Sequence, residues 1–307
     1  MYIPDNLPKI ERDILKEVGY LKERYFVKDE PVELNGLTLY PVKVKDYNDF
    51  AWASACLTLH KNDVFEGVKM THLEFLLSKI KKKDEPQWAS MFSKIVEICL
   101  HIRPGVRCKK CGKYIGYLDF YNQDFFKKCE LGLSKEELFK CECGDKLVPS
   151  VETGVDEKGK TIVYIDGIKV NADDFNRIRK YLLYQNFPDF KDDSWVHKSV
   201  REDQALKADL LSKNSGTASL ERKIVCVCSQ SCYKIEDIFE MPMRKFIMLL
   251  GVINDAIEYK AAKQGVMSGM VTLKKGASLE HWVYRKERGL YDAAVDSGDL
   301  TQKIKNL

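Results

Sequence analysis

The chain has 307 residues, 45% hydrophobic and 31% charged, enough for two or three soluble compact units. Its 50 basic and 46 acidic residues leave a net charge of +4, too balanced to announce a nucleic-acid partner by charge alone. No apolar run approaches the roughly 18 residues that span a bilayer, and Met1 to Tyr20 carries Asp5, Glu11, Asp13 and Glu17 where a secretory signal would need a continuous apolar stretch. The expectation is a chain made and kept in a reducing cytoplasm, without a membrane partner. Its ten cysteines would there serve metal binding or buried packing rather than disulfides.

Pro8 to Tyr25 has Ile10, Ile14, Leu15, Val18 and Leu21 at helical spacing, which predicts an amphipathic helix. Val32 to Val44 reads as a β-hairpin about Asn35-Gly36, a type I′ turn pair. Asp46 is placed to cap a helix through about Leu59, and Thr71-His-Leu-Glu74 has capping-box spacing for another. Pro86 suits the first turn of a third helix that reaches about Ile102. After a cysteine-rich stretch, Ser134 to Glu137 resembles a short capped helix. A second hairpin turns at Glu157 to Lys160 and returns through Thr161 to Ile165; Asp166-Gly167 then turns into Ile168 to Val170. Asn171 caps a helix through about Gln185, with Phe175, Ile178 and Leu182 inward and Arg177, Arg179 and Lys180 on its polar side. Helices follow over about 194–213, 218–229, 233–240 and 242–264, with a break at Lys213 to Gly216 and a short strand at Ser268 to Lys274. The predicted fold is α+β and mainly helical. A mixed N-terminal unit spans 1–102, a zinc-ribbon-like insertion 103–150, a β-hairpin plus helical C-terminal unit 151–285, and a polar tail 286–307.

The explicit chemistry lies in Cys108-Lys-Lys-Cys111-Gly112 and Cys141-Glu-Cys143-Gly144. Each is a knuckle: a tight turn presents two thiolates, and a glycine follows where the backbone must reverse. Four thiolates make a closed tetrahedral zinc site that stabilises structure and leaves no open position for substrate or water. Cys108, Cys111, Cys141 and Cys143 are the expected ligands of a structural Zn2+, with Cys129 or His101 as replacements for one of them. The aromatic insert between the knuckles offers Tyr114, Tyr117, Phe120, Tyr121 and Phe125 as a candidate interaction surface. Arg103, Arg107, Lys109, Lys110 and Lys113 surround the first knuckle beside Tyr114 and Tyr117, a combination that suits phosphate contacts and base stacking. Asp119, Asp124, Glu130, Glu136, Glu137, Glu142 and Asp145 dilute that field, so a nucleic-acid-binding zinc ribbon is the alternative reading.

Other patterns yield less. His72-Leu-Glu74 with Cys108 and Cys111 imitates a zinc deaminase signature, but Arg107 replaces the proline and the second knuckle would be idle. His72 and Glu74 are expected as surface residues of a first helical turn. Cys226, Cys228 and Cys232 read as small apolar residues of a helix, Cys228 and Cys232 sharing a face. Phosphate loops, a dinucleotide fingerprint, HExxH and GxSxG are missing, and the five histidines are scattered singly. The pairs Asp173-Asp174 and Asp192-Asp193 are expected at helix starts. No catalytic residue is expected.

Four stretches carry a resemblance. They are Tyr40-Pro-Val-Lys-Val-Lys-Asp-Tyr47, Val170 to Phe187, Ile238-Phe-Glu-Met-Pro-Met-Arg-Lys-Phe246, and Ser268-Gly-Met-Val with Glu280-His-Trp282. Together they resemble tail and baseplate-region proteins of tailed bacteriophages of Gram-positive hosts. The resemblance implies a virion structural protein or assembly factor, located in the host cytoplasm during assembly and then in the virion. Its implied partners are other tail or baseplate subunits. Met241, Met243, Met248, Met267 and Met270 would supply either core packing or adaptable contact surface.

Overall fold

The computed structural model describes residues 7–82, 84–120, 127, 129–194, 196–212, 218–268, 281 and 283. It is an α+β fold, mainly helical. Helix α1 (Lys9–Arg24) buries Ile14, Leu15 and Val18, while Ile10 at its start is exposed. Strands β1 (Val32–Leu34) and β2 (Leu37–Leu39) pair Val32 with Leu39 and Leu34 with Leu37. Both turn residues, Asn35 and Gly36, have positive φ, as a type I′ turn requires. The expected helix from Asp46 is broken into pieces: 3-10 turns at Val44–Asp46 and Ser54–Cys56 flank α2 (Tyr47–Ala53), and the Asp46 side chain makes no cap bond. Helix α3 (Phe65–Val68) is one turn. Helix α4 (His72–Ile80) carries the reciprocal Thr71–Glu74 capping box. Helix α5 (Gln87–Leu100) starts just after Pro86 and stops at His101, whose φ of 55° is left-handed.

Two three-stranded antiparallel sheets follow. The first orders β4 (Tyr114–Gly116), β3 (Gly105–Cys108) and β5 (Leu147–Pro149); between them lie the short helices α6 (Tyr117–Phe120) and α7 (Lys135–Leu138). The second is the meander β6 (Val151–Val155), β7 (Thr161–Ile165) and β8 (Ile168–Val170). Its β7–β8 turn, Asp166-Gly167, again has two positive φ angles. Helix α8 (Ala172–Asn186) opens on Asn171, whose side chain accepts from the Asp173 and Asp174 amides, both at 2.9 Å. Helices α9 (Lys198–Ser212), α10 (Leu220–Gln230), α11 (Ile235–Glu240) and α12 (Met243–Met267) complete the described chain. The expected break at 213–216, the strand after Ser268 and the tail from 286 lie outside the described residues.

Three apolar cores hold these elements. The largest gathers Ile14 and Val18 of α1, Leu39, Phe50, Leu73, Ile95, Val163, Ile165, Phe175 and Leu182. The meander and α8 therefore finish the core that the first hundred residues begin. The second core joins Ile224 and Val227 of α10, Ile238 of α11, and Phe246 and Ile253 of α12 with Val44 from the front of the chain. That joint is made by backbone: Val44 N–H donates to Met241 O at 2.9 Å, and Met243 N–H donates to Val42 O at 2.7 Å. Glu240 then bridges Lys43 and Lys45 at 2.6 and 2.8 Å. The third core is the ribbon around β3.

The cysteines of α10 differ from the helix-face expectation. Cys226 and Cys228 pack half-buried on the second core, but the helix ends at Gln230, so Cys232 lies beyond it and is exposed. Met241 and Met243 are buried, whereas Met248 and Met267 are exposed; Met270 is outside the described residues.

Candidate metal centre

The two knuckles are built by the same local device. Cys108 N–H donates to Lys113 O at 2.8 Å and Gly112 N–H to Cys108 O at 3.0 Å; Cys141 N–H donates to Asp145 O at 2.7 Å and Gly144 N–H to Cys141 O at 2.8 Å. Gly112 and Gly144 take φ of 71° and 88°, which a side chain would strain. The strand β3 delivers Cys108, and an isolated bridge between Lys140 and Lys146 closes the second knuckle. Gly105 is needed for the pairing of β3 with β4, because a Cβ there would meet Ile115 O at 2.3 Å.

These turns bring four thiols together. The Sγ atoms of Cys108, Cys111, Cys141 and Cys143 lie within 4.8 Å of one another, with Cys108–Cys143 at 3.4 Å and Cys111–Cys141 at 3.6 Å. Sulfurs bound about 2.3 Å from a tetrahedral zinc stand about 3.8 Å apart, so the cluster fits such an ion with small adjustment. The cluster could hold a metal. The backbone N–H of Cys111, helped by the Cys143 thiol, brings the Cys108 thiol down to about 7, whereas hydrogen bonds from the neighbouring thiols push Cys111 and Cys143 up. The two alternative ligands stand elsewhere: His101 stacks on Tyr40 with ring centroids 4.0 Å apart, and Cys129 is exposed outside the cluster.

The aromatic insert divides between core and surface. Phe120 is 9% exposed and packs on Phe139 at 4.9 Å inside the ribbon core with Val106, Cys108, Cys141 and Leu147. Tyr117 is half-buried and its hydroxyl lies 2.9 Å from Ser150 Oγ. Burial of Phe120 is a correction to the expected contact surface, whereas Tyr117 keeps part of its side chain accessible. A ribbon too small to bury much surface uses its aromatics as core. Tyr114 is exposed, with its hydroxyl donating to Pro104 O at 2.6 Å. Tyr121 and Phe125 lie outside the described residues.

The outer face of the ribbon docks on the meander. Arg107 pairs with Asp166 in the β7–β8 turn, and a Cβ on Gly167 would sit 2.9 Å from Lys109 Nζ. Ser150 bolts the two sheets together: it exchanges backbone and side-chain bonds with Gly105, and its carbonyl accepts from Asp166 N–H at 2.8 Å. Lys113 pairs with Glu142 across the knuckles at 2.8 Å. Arg107 and Lys113, two of the five basic residues around the first knuckle, are thus paired within the chain.

A second polar constellation was not foreseen in the sequence. Lys180 on α8 is 1% exposed and pairs with Glu11 of α1 and, at 3.0 Å, with Asp192. Arg179 beside it donates to Leu57 O at 3.0 Å and approaches Asp192 at 3.9 Å, while Asn176 donates to Glu11 at 2.8 Å. Asp192 is therefore no helix start. It sits well before α9 and folds back under α8, where Arg179 and Lys180 overcome the penalty of burial and hold its carboxyl below the usual range. His72, expected on the surface, is buried against this cluster. Burial above all, and then Arg179, lower its pKa to about 2. Two buried carboxylates and two buried cations balance in charge, and the network makes no use of the metal ligands. The helical periodicity of α8 hid it: Arg179 and Lys180 look like a polar face until a neighbouring acid covers them.

Comparison with known proteins bears on the C-terminal segment. Residues 212–286 match the family model of the YomV second domain, a phage-associated family. No curated protein and no solved structure matches the chain. The matched stretch, 75 of the 307 residues, contains α10, α11 and α12, which share the second core with Val44. Among the described residues, no helix is long and apolar enough to cross a membrane.

Proposed function

We propose that the chain is a structural or assembly protein of a phage tail or baseplate, acting through protein–protein contacts rather than catalysis, and that zinc fills the four-cysteine site as a structural ion. The observation that carries the reading is the closed set of four thiols on two knuckles, all within 4.8 Å. Four thiolates occupy every tetrahedral position, so such an ion stabilises a fold and binds no substrate. The phage-associated domain over 212–286 supports the setting. The contact role draws support from the surface of the matched stretch, where Phe239, Met248, Val252 and Ile257 are exposed although the helices carrying them already pack into the second core. Other tail or baseplate subunits are the proposed partners. The nucleic-acid alternative would need the basic surface of the first knuckle, where Arg107 and Lys113 are paired with Asp166 and Glu142 of the same chain.

Mass spectrometry of purified particles and of tail-assembly intermediates tests the assignment. Detection in either is expected, and absence from both overturns it. A gel-shift at low salt checks the alternative, since phosphate-driven binding is strongest there; a retained DNA or RNA band would favour it.

A further inference from the structure

We propose that the metal centre is also a peroxide-responsive thiol site, in which each exposed cysteine is matched with a buried cysteine of the other knuckle. The inference rests on the structural-zinc reading and concerns what happens to that site outside a reducing cytoplasm. Cys143 is exposed and lies 3.4 Å from buried Cys108; Cys111 is exposed and lies 3.6 Å from buried Cys141. Both of these contacts run between knuckles, in a cluster whose sulfurs all lie within 4.8 Å of one another. Each has one sulfur that a small oxidant can reach and one that it cannot.

That arrangement divides the labour of disulfide formation. Peroxide transfers one oxygen to the exposed thiolate, giving a sulfenic acid and releasing hydroxide. The buried partner thiolate then attacks the sulfenic sulfur; the new S–S bond forms as the S–O bond breaks, and the oxygen leaves as water after taking up a proton. Over both pairs, four thiolates, two peroxides and four protons give two disulfides and four waters. Sulfur loses four electrons and peroxide gains them. The ion is released as Zn2+ because its ligands are consumed. Each pair must close by about 1.5 Å to reach a disulfide bond length.

The pairing decides the consequence. Disulfides Cys108–Cys143 and Cys111–Cys141 hold the two knuckles together in the register that the metal would hold. The ribbon keeps a staple when it loses its ion, and reductant with zinc reverses the exchange. A disulfide within the second knuckle would instead have to close across Glu142 alone and would leave the knuckles free of each other. Exposed Cys129 and Cys232 stand outside the cluster and serve as internal controls, as do Cys56 and Cys99, which are buried.

The test uses the full zinc-loaded chain, freed of reductant and titrated with hydrogen peroxide. A chromogenic chelator follows zinc, and peptide mass spectrometry without reduction maps the disulfides. The expected result is complete zinc release at about two peroxides per ion, as the balance above requires of two disulfides per four-thiolate site, with Cys108–Cys143 and Cys111–Cys141 as the major pairs. Disulfides within knuckles, sulfinic or sulfonic acids on Cys111 and Cys143 without cross-knuckle pairs, or zinc retained under excess peroxide would each overturn the proposal. Cys143→Ser should retain only Cys111–Cys141; if that variant does not fold, the map of the native chain decides. Zinc content measured before peroxide separates the two readings: a chain without metal contradicts the structural site itself, whereas zinc present with the wrong map contradicts only the pairing.

Discussion

Replacing Lys180 by methionine keeps the aliphatic volume and removes one charge from the buried network. Glu11 and Asp192 then keep their carboxylates at 8% and 7% side-chain exposure, with Arg179 reaching Asp192 only at 3.9 Å. Removing one partner of a buried ion pair costs about 3–5 kcal/mol, because the remaining charge stays desolvated. Lys180 serves two acids, so the upper part of that range is expected. The assay is urea unfolding at pH 7, comparing midpoints at unchanged slope. The double variant Lys180→Met with Glu11→Gln removes one stranded carboxylate as well and should recover about 0.5–3 kcal/mol relative to additivity. A loss below about 1 kcal/mol for Lys180→Met, the size of an exposed pair, would refute the reasoning. Strict additivity in the double variant would refute it too.

Further outcomes follow from the same structure. Burial holds His72 neutral in the fold, with its pKa lowered to about 2, while the unfolded side chain titrates near 6.5. The unfolded state therefore binds more protons below that pH, and stability falls by roughly 1.4 kcal/mol per pH unit as pH drops under about 6.5. His72→Gln should flatten the slope between pH 6.5 and 5 in urea melts; an unchanged slope would place the histidine outside the core. Asp192 acts through the opposite ionisation. Its folded pKa is depressed, so its stabilisation is present above about pH 4 and lost below it, and Asp192→Asn should remove that acid-limb loss. Gly105→Ala would drive a Cβ into Ile115 O. It should cost more than about 1 kcal/mol and raise hydrogen exchange in β3 and β4 while leaving α1 and α8 protected. Chelation of the metal should raise exchange across 105–149 and spare the first core, since structural zinc supplies about 10–16 kcal/mol of local folding free energy in small zinc domains; uniform loss of protection would show that the ribbon is not a separate unit.

How much of this was legible in the sequence depends on whether the signal was local. Asn35-Gly36, Thr71 with Glu74 and the cap at Asn171 fix turns and helix starts through groups within four residues of each other, and the structure has all three. The knuckles belong to the same class: short spacings and glycines at positive φ assembled the thiols. The failures were long-range. Arg179, Lys180 and His72 look solvated in their own helices and became buried because Glu11 and Asp192 arrive from distant segments. Phe120 and Tyr117 look like a display of aromatics, yet a small ribbon must spend them on its own core and on Ser150. The ion pair of Arg107 is equally invisible locally, because its partner Asp166 lies 59 residues away in a turn. The strands β3, β4 and β5 are three or four residues long, too short for alternation to declare them.

The central claim is a structural zinc ion held by four thiolates. Elemental analysis of chain purified without chelator, combined with X-ray absorption at the zinc edge, tests it most directly. The expected result is one zinc per chain with four sulfur neighbours at about 2.3 Å. Metal-free protein, or a shell in which nitrogen or oxygen replaces one of Cys108, Cys111, Cys141 and Cys143, would contradict it.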